Sequence, residues 1–453
     1  MNQGQTILPP ELRSRLQAQL GHDFADFEAS LADTAPTTIR LNPRKQSDFF
    51  LTDQQVPWCE EGRYLSSRPN FTLDPLFHAG TYYAQEASSM VISYLIKQHL
   101  DLQRDLKVLD LSAAPGGKAT LLHSLINSTS LLVANELISK RNSILQHNLA
   151  RWGAANVVVT QNEARRFAKI PEFFDLILVD APCSGEGLLR RDPAAALEWS
   201  EGNVKACAAR QQRILADIIP SLAPGGILIY STCTYSELEN EINADWFLKE
   251  SGFHNLEVDF PEDWNIQSQP GGAPGYRFYP HQVAGEGFFV AMFQRSGTAV
   301  PEPGRRIDRR LERPTPADSR WLEKAQDYAY LQTDKLRYAF PAPLATHYFD
   351  LKSQLRIRSA GLFLGKTYPN GLQPSPELAL FPGLSSGVQR LELDGSTALD
   401  YLAHQPIALP ADLTAGRHLI THHDFGLGWI NKLKNGQYRN NYPTAWRILN
   451  RKA

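Results

Sequence analysis

Short apolar runs alternate with helix-like segments through the middle of this 453-residue chain. The apolar runs, rich in Leu, Ile, Val and Phe, cover residues 107–111, 131–135, 156–160, 175–179, 227–231 and 287–293. The helix-like segments cover residues 119–127, 139–152, 204–222 and 237–250. Strands that lack polar alternation are typical of a sheet covered by helices on both faces. Their alternation with helices predicts an α/β fold with a Rossmann-like, doubly wound parallel sheet.

The segments on either side of this core differ from it. Residues 1–75 combine a helix-like stretch at 11–31 with an extended stretch at 37–43, which predicts a small α+β module. Residues 297–320 are rich in Pro and Arg and are interpreted as a linker. Beyond it we expect a helical lead-in and then a small β-rich domain, with β-like runs at residues 355–357, 362–364 and 428–430 and a hairpin at Lys434-Asn-Gly436. The expected domains are residues 1–75, 76–296 and 321–453.

The net charge of −2 hides an asymmetry along the chain. Residues 297–453 hold 21 Lys and Arg against 14 Asp and Glu, whereas the rest of the chain holds 25 against 34. The last 25 residues contain six basic side chains and no acidic one. A basic appendage on an acidic body indicates a polyanionic partner, such as a nucleic acid. The alternative is a charged tail that is simply solvated.

The cysteine content and the hydropathy of the chain limit the cellular compartments in which we expect it. Four cysteines in 453 residues do not form a disulfide framework, and the lack of a CxxC pair argues against a cysteine zinc site. The N-terminus has no apolar signal segment, and no stretch is long enough to span a bilayer. We therefore expect a reduced, cytoplasmic protein with no bound metal and no membrane contact.

A glycine-rich turn follows the first strand of the core. Its sequence at residues 112–118, SAAPGGK, lacks the GxGxxG fingerprint of hydride-transfer enzymes and the GxxxxGK[ST] pattern of P-loops. Glu136 lies 19 positions beyond Gly117, at the end of the second strand, where a carboxylate accepts both ribose hydroxyls of an adenosine. This combination favours S-adenosyl-L-methionine over NAD, and Gly116 lets the backbone approach the methionine part. The alternative is a plain structural turn.

Two of the four cysteines follow apolar strands. Cys183 lies three residues after Asp180, and Cys233 ends a later run. Because loops at the carboxyl ends of neighbouring parallel strands meet over one crevice, both thiols are expected to face the ligand of the glycine turn. A thiolate that adds to carbon 6 of cytosine makes carbon 5 nucleophilic towards a methyl donor. Asp180 can hydrogen-bond ring nitrogen 3 and the exocyclic amine. The alternative, adopted for Cys59 and Cys207, is that a free cysteine is a small buried hydrophobic residue.

Five motifs in order resemble those of the Nop/Sun family of RNA cytosine-5 methyltransferases. They are GTYYAQEASS at residues 80–89, VLDLSAAPGGK at 108–118, DAPCSGEG at 180–187, STCTYSELENE at 231–241, and YPHQ with GEGFF within 279–289. The resemblance implies a methyltransferase core in which Cys233 is the nucleophile, Cys183 assists release of the methylated RNA, and Asp180 hydrogen-bonds the target base.

The same resemblance implies which residues hold S-adenosyl-L-methionine. They are Ser112, Ala113, Ala114, Pro115, Gly116, Gly117, Lys118, Glu136, Arg141, Glu163 and Asp180. Two positions depart from the family pattern. Glu163 stands where the family usually has Asp, and Ser112 stands where it usually has Cys, at a turn that contacts the cofactor mainly through its backbone.

The C-terminal region resembles a PUA-like RNA-binding domain, on the basis of residues 357–365 and 372–379. Tyr438, Arg439, Tyr442 and Trp446 interleave rings and charge, which suits base stacking and phosphate contact. The alternative for these four residues is an aromatic core edge. The implied partner is RNA, specifically small-subunit rRNA or the small ribosomal subunit, bound by a monomer.

Three other functions remain open. The same chemistry on tRNA is one, because appended domains select the substrate. A non-catalytic ribosome assembly factor that binds RNA is the second, and the loss of Cys183, Cys233 or Asp180 would favour it, although all three are present. The third is methylation of an exocyclic amine, which needs an aromatic platform at the position that Cys183 occupies.

Overall fold

The computed structural model describes residues 8–192, 194–249, 252–268, 274–298, 311–369 and 371–451. The N-terminal module contains helices α1 (Pro10–Leu20), α2 (Phe24–Ser30) and α3 (Pro75–Ala79) and strands β1 (Thr37–Leu41), β2 (Gln54–Val56), β3 (Cys59–Leu65) and β4 (Tyr82–Ala84). The strands form an antiparallel sheet in the order β2-β3-β1-β4. The helix expected over residues 11–31 is two helices, because Gly21 takes a positive φ of 57° at the end of α1.

The core alternates strands and helices as the sequence predicts. Its helices are α4 (Val91–His99), α5 (Gly117–Leu125), α6 (Ser139–Trp152), α7 (Ala195–Glu198), α8 (Glu201–Ile218) and α9 (Glu241–Leu248). Its strands are β5 (Lys107–Asp110), β6 (Leu131–Asn135), β7 (Val157–Thr160), β8 (Phe174–Asp180), β9 (Leu222–Thr232), β10 (Phe253–Asn255), β11 (Gln267–Ser268), β12 (Tyr276–Phe278) and β13 (Phe288–Arg295). The parallel strands run in the order β9-β8-β5-β6-β7, and β13 joins β9 antiparallel.

Both faces of this sheet are buried, which explains its continuous apolar strands. Leu176 and Leu178 of β8 belong to the cluster on one face, and Ile177 and Val179 belong to the cluster on the other. One boundary prediction was wrong. The helix expected over residues 204–222 ends at Ile218, followed by Pro220, and β9 starts at Leu222, so that the Pro-Gly-Gly segment at 224–226 lies inside the strand.

The C-terminal region is built around two further sheets. Its helices are α10 (Pro316–Ser319), α11 (Ala345–Gln354), α12 (Pro376–Ala379) and α13 (Gly395–Leu402). Its strands are β14 (Tyr328–Thr333), β15 (Leu336–Pro341), β16 (Ile357–Ala360), β17 (Leu362–Tyr368), β18 (Gly371–Pro374), β19 (Arg390–Glu392), β20 (Gly416–His422), β21 (Phe425–Lys432) and β22 (Tyr438–Asn440). The sheets have the orders β14-β15-β17-β18 and β19-β20-β21-β22. The predicted hairpin at Gly436 is confirmed, since it joins β21 to β22.

Two predictions for this region need correction. The expected helical lead-in contains helix α11, but the β14–β15 hairpin precedes that helix. The β-like run near residue 357 does not join the C-terminal sheets, because β16 pairs antiparallel with β7 and so extends the core sheet. Half of the predicted linker, residues 299–310, lies outside the described residues. Within the described part of the chain, no helix is both long and apolar enough to cross a bilayer.

Aromatic residues near the C-terminus pack within the protein. Tyr442 is 5% exposed and its ring meets the Tyr401 ring at 5.6 Å. The Trp446 ring stacks on the imidazole of His147, on α6, at 4.2 Å between centroids. For Tyr442 and Trp446 the structure supports the alternative of an aromatic core edge, because both rings pack against other parts of the protein.

A basic segment of the N-terminal module caps the two helices that flank the glycine turn. At the end of α6, Asn42 Nδ2 donates to Trp152 O at 3.0 Å and Lys45 Nζ donates to Arg151 O at 2.6 Å. At the end of α5, Arg44 Nη2 donates to Ile126 O at 2.9 Å. Positive and donor groups at a helix C-terminus satisfy its free carbonyls and oppose its dipole. The N-terminal module thus fixes the positions of α5 and α6.

Arg40 braces the beginning of the same helix α5. Its guanidinium donates to Gly117 O at 3.2 Å and to Thr120 Oγ1 at 2.6 Å, and it lies over the Trp152 ring at 4.6 Å. Burial lowers the pKa of Arg40 to about 10, so the group stays charged at neutral pH. The first turn of α5, which follows the glycine turn, is therefore held by a cation from another domain.

We predict that Asn42→Ala lowers the free energy of unfolding by about 1–3 kcal/mol, because it leaves the buried carbonyls of Gly80 and Trp152 without their donor. Urea denaturation of the full chain measures this change. Asn203→Ala on the exposed surface of α8 is the control, and it should change stability by less than about 0.5 kcal/mol. Equal losses in the two variants would contradict the capping role.

Candidate active site

The loops that follow β5, β8 and β9 converge at one edge of the core sheet. Lys118 Nζ, in the first turn of α5, lies 2.9 Å from Asp180 Oδ2 at the end of β8. Ser231 Oγ, near the end of β9, donates to Asp180 Oδ1 at 2.9 Å. These three strands are neighbours in the sheet, so the predicted convergence of the glycine turn and Asp180 is present in the structure.

The two cysteines face each other in this crevice. The Sγ atoms of Cys183 and Cys233 are 3.2 Å apart, and both side chains are half-buried. Gly187 N donates to Cys233 O at 2.8 Å, which ties the loop after β8 to the loop after β9. The hydrogen bond with Cys233, followed by burial, raises the pKa of the Cys183 thiol well above its usual range. Cys183 is therefore a neutral thiol at neutral pH while Cys233 lies beside it.

A buried carboxylate that the sequence analysis left without a role orders the loop of Cys183. Glu239 accepts hydrogen bonds from Ser184 N at 2.9 Å, from Ser184 Oγ at 2.5 Å and from Gln211 Nε2 at 3.0 Å. Burial raises the pKa of Glu239 despite these donors. Its position within the STCTYSELENE motif was a signal, but the motif alone does not reveal which chain segment its side chain contacts.

The glycine turn is held by α6, on the far side of the crevice. Gly116 has a φ of 124°, which favours glycine. Asn148 Nδ2 donates to Pro115 O at 2.7 Å, and Arg141 Nη2 donates to Ala114 O at 2.8 Å. Ala113 N donates to Asn135 O at 2.8 Å, which joins the start of the turn to the end of β6. The half-buried Ser112 precedes them. The backbone of the turn is thus oriented before any ligand binds.

Glu136 follows β6 and faces the same turn. Its Oε1 accepts from Ile138 N at 2.8 Å, and its Oε2 lies 3.4 Å from Arg141 Nη1. Arg141 therefore links Glu136 to the carbonyl of Ala114. Leu137 and Ile138 are each 53% exposed, an apolar surface next to Glu136 that the sequence analysis missed. Such a surface suits the face of a purine ring.

Glu163 is the predicted site residue that the structure does not join to the others. It follows β7, and its side chain is 55% exposed and pairs with Arg165 at 2.6 Å. The backbone N–H of the neighbouring Asn162 donates a hydrogen bond to Asn135 Oδ1 at 2.9 Å. The loop of Glu163 is thus adjacent to β6, while its carboxylate points to a surface arginine.

Asp110 at the end of β5 is a second residue that the sequence analysis missed. It is fully buried, and neither carboxyl oxygen has a well-formed hydrogen bond among the described residues, although the backbone of Ser112 lies close enough to lower its pKa. Burial and the nearby Asp180 raise its pKa to about 8, against the opposing effect of Lys118. A buried carboxyl without a well-formed hydrogen bond beside a glycine turn is a place for a cationic ligand. S-adenosylmethionine carries a positive amino group and a positive sulfonium, so it fits this site.

We predict that Asp110→Asn stabilises the ligand-free protein by on the order of 4 kcal/mol at about pH 7, because a neutral amide replaces a group that must bind a proton on folding. The folded-state pKa of about 8 lies above the unfolded value of 3.8. The advantage of the variant is therefore absent below pH 3.8, grows as the pH rises, and levels off near pH 8. Urea denaturation across this pH range measures it.

The same substitution should weaken S-adenosylmethionine binding by about 10- to 100-fold, because a hydrogen bond between opposite charges is lost. Calorimetric titration of the cofactor tests this, with Asp412→Asn, at an exposed aspartate of the C-terminal region, as the control. Unchanged affinity in Asp110→Asn would mean that the cofactor's cationic groups lie elsewhere.

Comparison with known proteins gives consistent matches along the chain. A family model described as 16S rRNA methyltransferase RsmB/F matches residues 97–294. Models described as the N-terminal domain of 16S rRNA methyltransferase RsmF and the methyltransferase RsmF PUA domain match residues 8–87 and 388–448. A solved structure of a methyltransferase homologue from Pyrococcus horikoshii is 27% identical and covers 64% of this chain and 100% of that chain, with a TM-score of 0.53.

Curated relatives match over almost the whole length. The ribosomal RNA small subunit methyltransferase F of Shewanella loihica is 32% identical over 90% of this chain and 90% of its own. That of Erwinia tasmaniensis is 29% identical over 96% of both chains. The methyltransferase-like fold agrees with these matches, and the chain belongs to the family of the ribosomal RNA small subunit methyltransferase F, whose members depend on S-adenosylmethionine.

Proposed function

We propose that this protein methylates carbon 5 of a cytosine in 16S rRNA of the small ribosomal subunit, through a covalent bond between Cys233 and the base. The observation that carries the proposal is the pair of sulfurs 3.2 Å apart beside Asp180. A single cysteine would suffice for attack on the base, whereas two facing thiols provide one group to attack and another to move a proton. The names of the curated relatives support rRNA as the substrate.

The first step is recognition and addition. Asp180 accepts a hydrogen bond from the exocyclic amine of the cytosine, and Lys118, 2.9 Å from Asp180, supplies positive charge as negative charge develops at ring nitrogen 3. Cys233 gives up its proton to solvent, and its thiolate forms a bond to carbon 6. The carbon 5–carbon 6 electron pair then joins carbon 4 to carbon 5, and the carbon 4–nitrogen 3 pair moves onto nitrogen 3. Carbon 5 thereby becomes the nucleophile, and S-adenosylmethionine supplies the methyl group that it takes.

The second step is release of the product. A bond between Cys233 and carbon 6 removes the hydrogen bond that raises the pKa of the Cys183 thiol. Cys183 can then lose its own proton to water, and its thiolate takes the proton from carbon 5; the carbon 5–hydrogen electron pair re-forms the carbon 5–carbon 6 double bond as the sulfur of Cys233 leaves as a thiolate. The two cysteines thus act in sequence, and each controls the state of the other.

The enzyme is further proposed to act on RNA as a monomer in the cytoplasm. All four cysteines are free, which suits a reducing compartment. RNA as the partner agrees with the excess of basic residues in the C-terminal region. Light scattering after gel filtration tests the monomer, since a stable dimer at working concentration would contradict it.

A labelled-methyl transfer assay tests the substrate. Purified protein with tritiated S-adenosylmethionine is offered total tRNA, naked rRNA and isolated small ribosomal subunits. We expect labelled 5-methylcytosine in small-subunit rRNA. Label in tRNA alone would favour a tRNA methyltransferase, and no label in any pool with cofactor binding intact would favour an RNA-binding assembly factor.

We predict that Cys233→Ala abolishes methyl transfer and leaves S-adenosylmethionine binding unchanged, whereas Cys183→Ala accumulates an RNA adduct. A denaturing gel detects the adduct as a protein band that carries labelled RNA. The double variant Cys183→Ala/Cys233→Ala should form none, and Cys207→Ala on α8 is the control that keeps turnover. An adduct in Cys233→Ala instead of Cys183→Ala would reverse the two roles.

A further inference from the structure

A polar groove lies between the two C-terminal sheets, outside the crevice of the cysteines. Its main cavity has a volume of about 1040 Å³ and is walled by both sheets, with Arg320, Gln332 and Tyr368 on one side and Gln389 and Arg417 on the other. A second cavity of about 420 Å³ continues it and shares part of its lining. The shared residues are Arg417, Trp429 and Asn431, and the second cavity adds Arg439 and Asn441. The two cavities therefore form one groove.

The groove holds positive charge that nearby acids do not neutralise. Burial and the charge of Arg320 lower the pKa of Arg417, which means that two guanidinium groups repel each other across the groove. In the described parts of the chain, neither Arg320, Arg417 nor Arg439 has a carboxylate within ion-pair distance. Asp318, an acidic residue of the lining, is already paired with Arg337 at 2.7 Å. Like charges held together without a counterion indicate a site for an anionic ligand.

The same groove offers groups that suit nucleobases. Tyr368 is 41% exposed, and the Lys335 ammonium lies 5.7 Å from the centre of its ring. An exposed ring next to a cation is the usual platform on which an unpaired base stacks while its phosphate is neutralised. The amide side chains of Gln389 and Asn431 line the groove between the arginines and can donate to and accept from base edges.

We propose that this groove binds a single-stranded segment of RNA, with phosphates at Arg320, Arg417 and Arg439 and a base stacked on Tyr368. The proposal rests on the RNA substrate proposed above and assigns where a part of that RNA remote from the target base is held. The match to the PUA family model begins at residue 388. Arg320 and Tyr368 precede it, so the proposed site includes a sheet that lies outside the region matched by that family model.

Binding of a fluorescein-labelled single-stranded RNA of about 12 nucleotides, measured by anisotropy, tests the groove directly. We expect Arg320→Gln/Arg417→Gln to weaken binding by at least about tenfold at moderate salt. The slope of log affinity against log salt should become shallower by about 1.4, since each phosphate contact on a single strand contributes about 0.7. The control is Arg447→Gln, at an exposed arginine outside the groove. This variant should lower the affinity by less than the double variant and should leave the salt slope closer to that of the wild type.

Tyr368→Ala gives a second measurement that does not depend on charge. Loss of one stacked base should lower the affinity for the oligonucleotide by about 5- to 100-fold without changing the salt slope. Because Tyr368 is exposed, the thermal melting of the variant should match that of the wild type. Equal affinity of all these variants and the wild type for the oligonucleotide would overturn the proposal.

Methylation of small subunits separates failure of the groove from failure of the proposed function. We expect the double arginine variant to raise KM with little change in kcat, because no residue that lines the groove belongs to the crevice of the cysteines. Normal KM in the variant, with an active wild type, would overturn the groove and leave the function intact. A wild type that methylates no RNA, yet binds the oligonucleotide through these residues, would overturn the function and retain the groove.

Discussion

The parallel register between β8 and β9 is the constraint on which the proposed chemistry depends. It pairs Asp180 with Ser231 across the two strands, so the loops after β8 and β9 leave the sheet at the same level. The loops that follow then bring the sulfurs of Cys183 and Cys233 to 3.2 Å. A shift of one residue would displace one thiol by about 3.3 Å and separate the pair. The pairing of β8 with β9 shifts register between Phe174 and Leu176 and is regular beyond that point. The shift lies opposite the segment of β9 in which Gly225 takes a positive φ.

Charge balance in the crevice links the glycine turn to Asp180, which we propose recognises the target base. Lys118 forms an ion pair with Asp180 and also opposes the rise in the pKa of the buried Asp110. One ammonium group therefore faces two carboxyls. A cationic ligand at Asp110 would satisfy that carboxyl by itself and leave Lys118 to Asp180. Cofactor binding would in this way strengthen the electrostatic arrangement that the target base meets, although the two ligands occupy different parts of the crevice.

Much of the core and of the crevice could be predicted from the sequence, because strands buried on both faces have a local signature and the loops after them must converge. Lys118 and Asp180 accordingly meet as expected. Other features depend on partners far away in the sequence. The pairing of β16 with β7 has no local signal that separates it from the other short C-terminal strands. Tyr442 and Trp446 also show a limit of prediction from the sequence, because stacking on RNA and packing on protein require the same residue types.

These distant contacts matter because they join the C-terminal region to the side of the core that carries the glycine turn. β16 extends the core sheet, and Asn162, after β7, exchanges hydrogen bonds with the backbone of Arg356 at 3.0 and 3.2 Å. Trp446 packs on His147 of α6, the helix that also holds the glycine turn through Asn148. If RNA binds in the C-terminal groove as proposed, these contacts hold the groove to the core, and the shape of the folded RNA would contribute to substrate selection together with contacts to the target base.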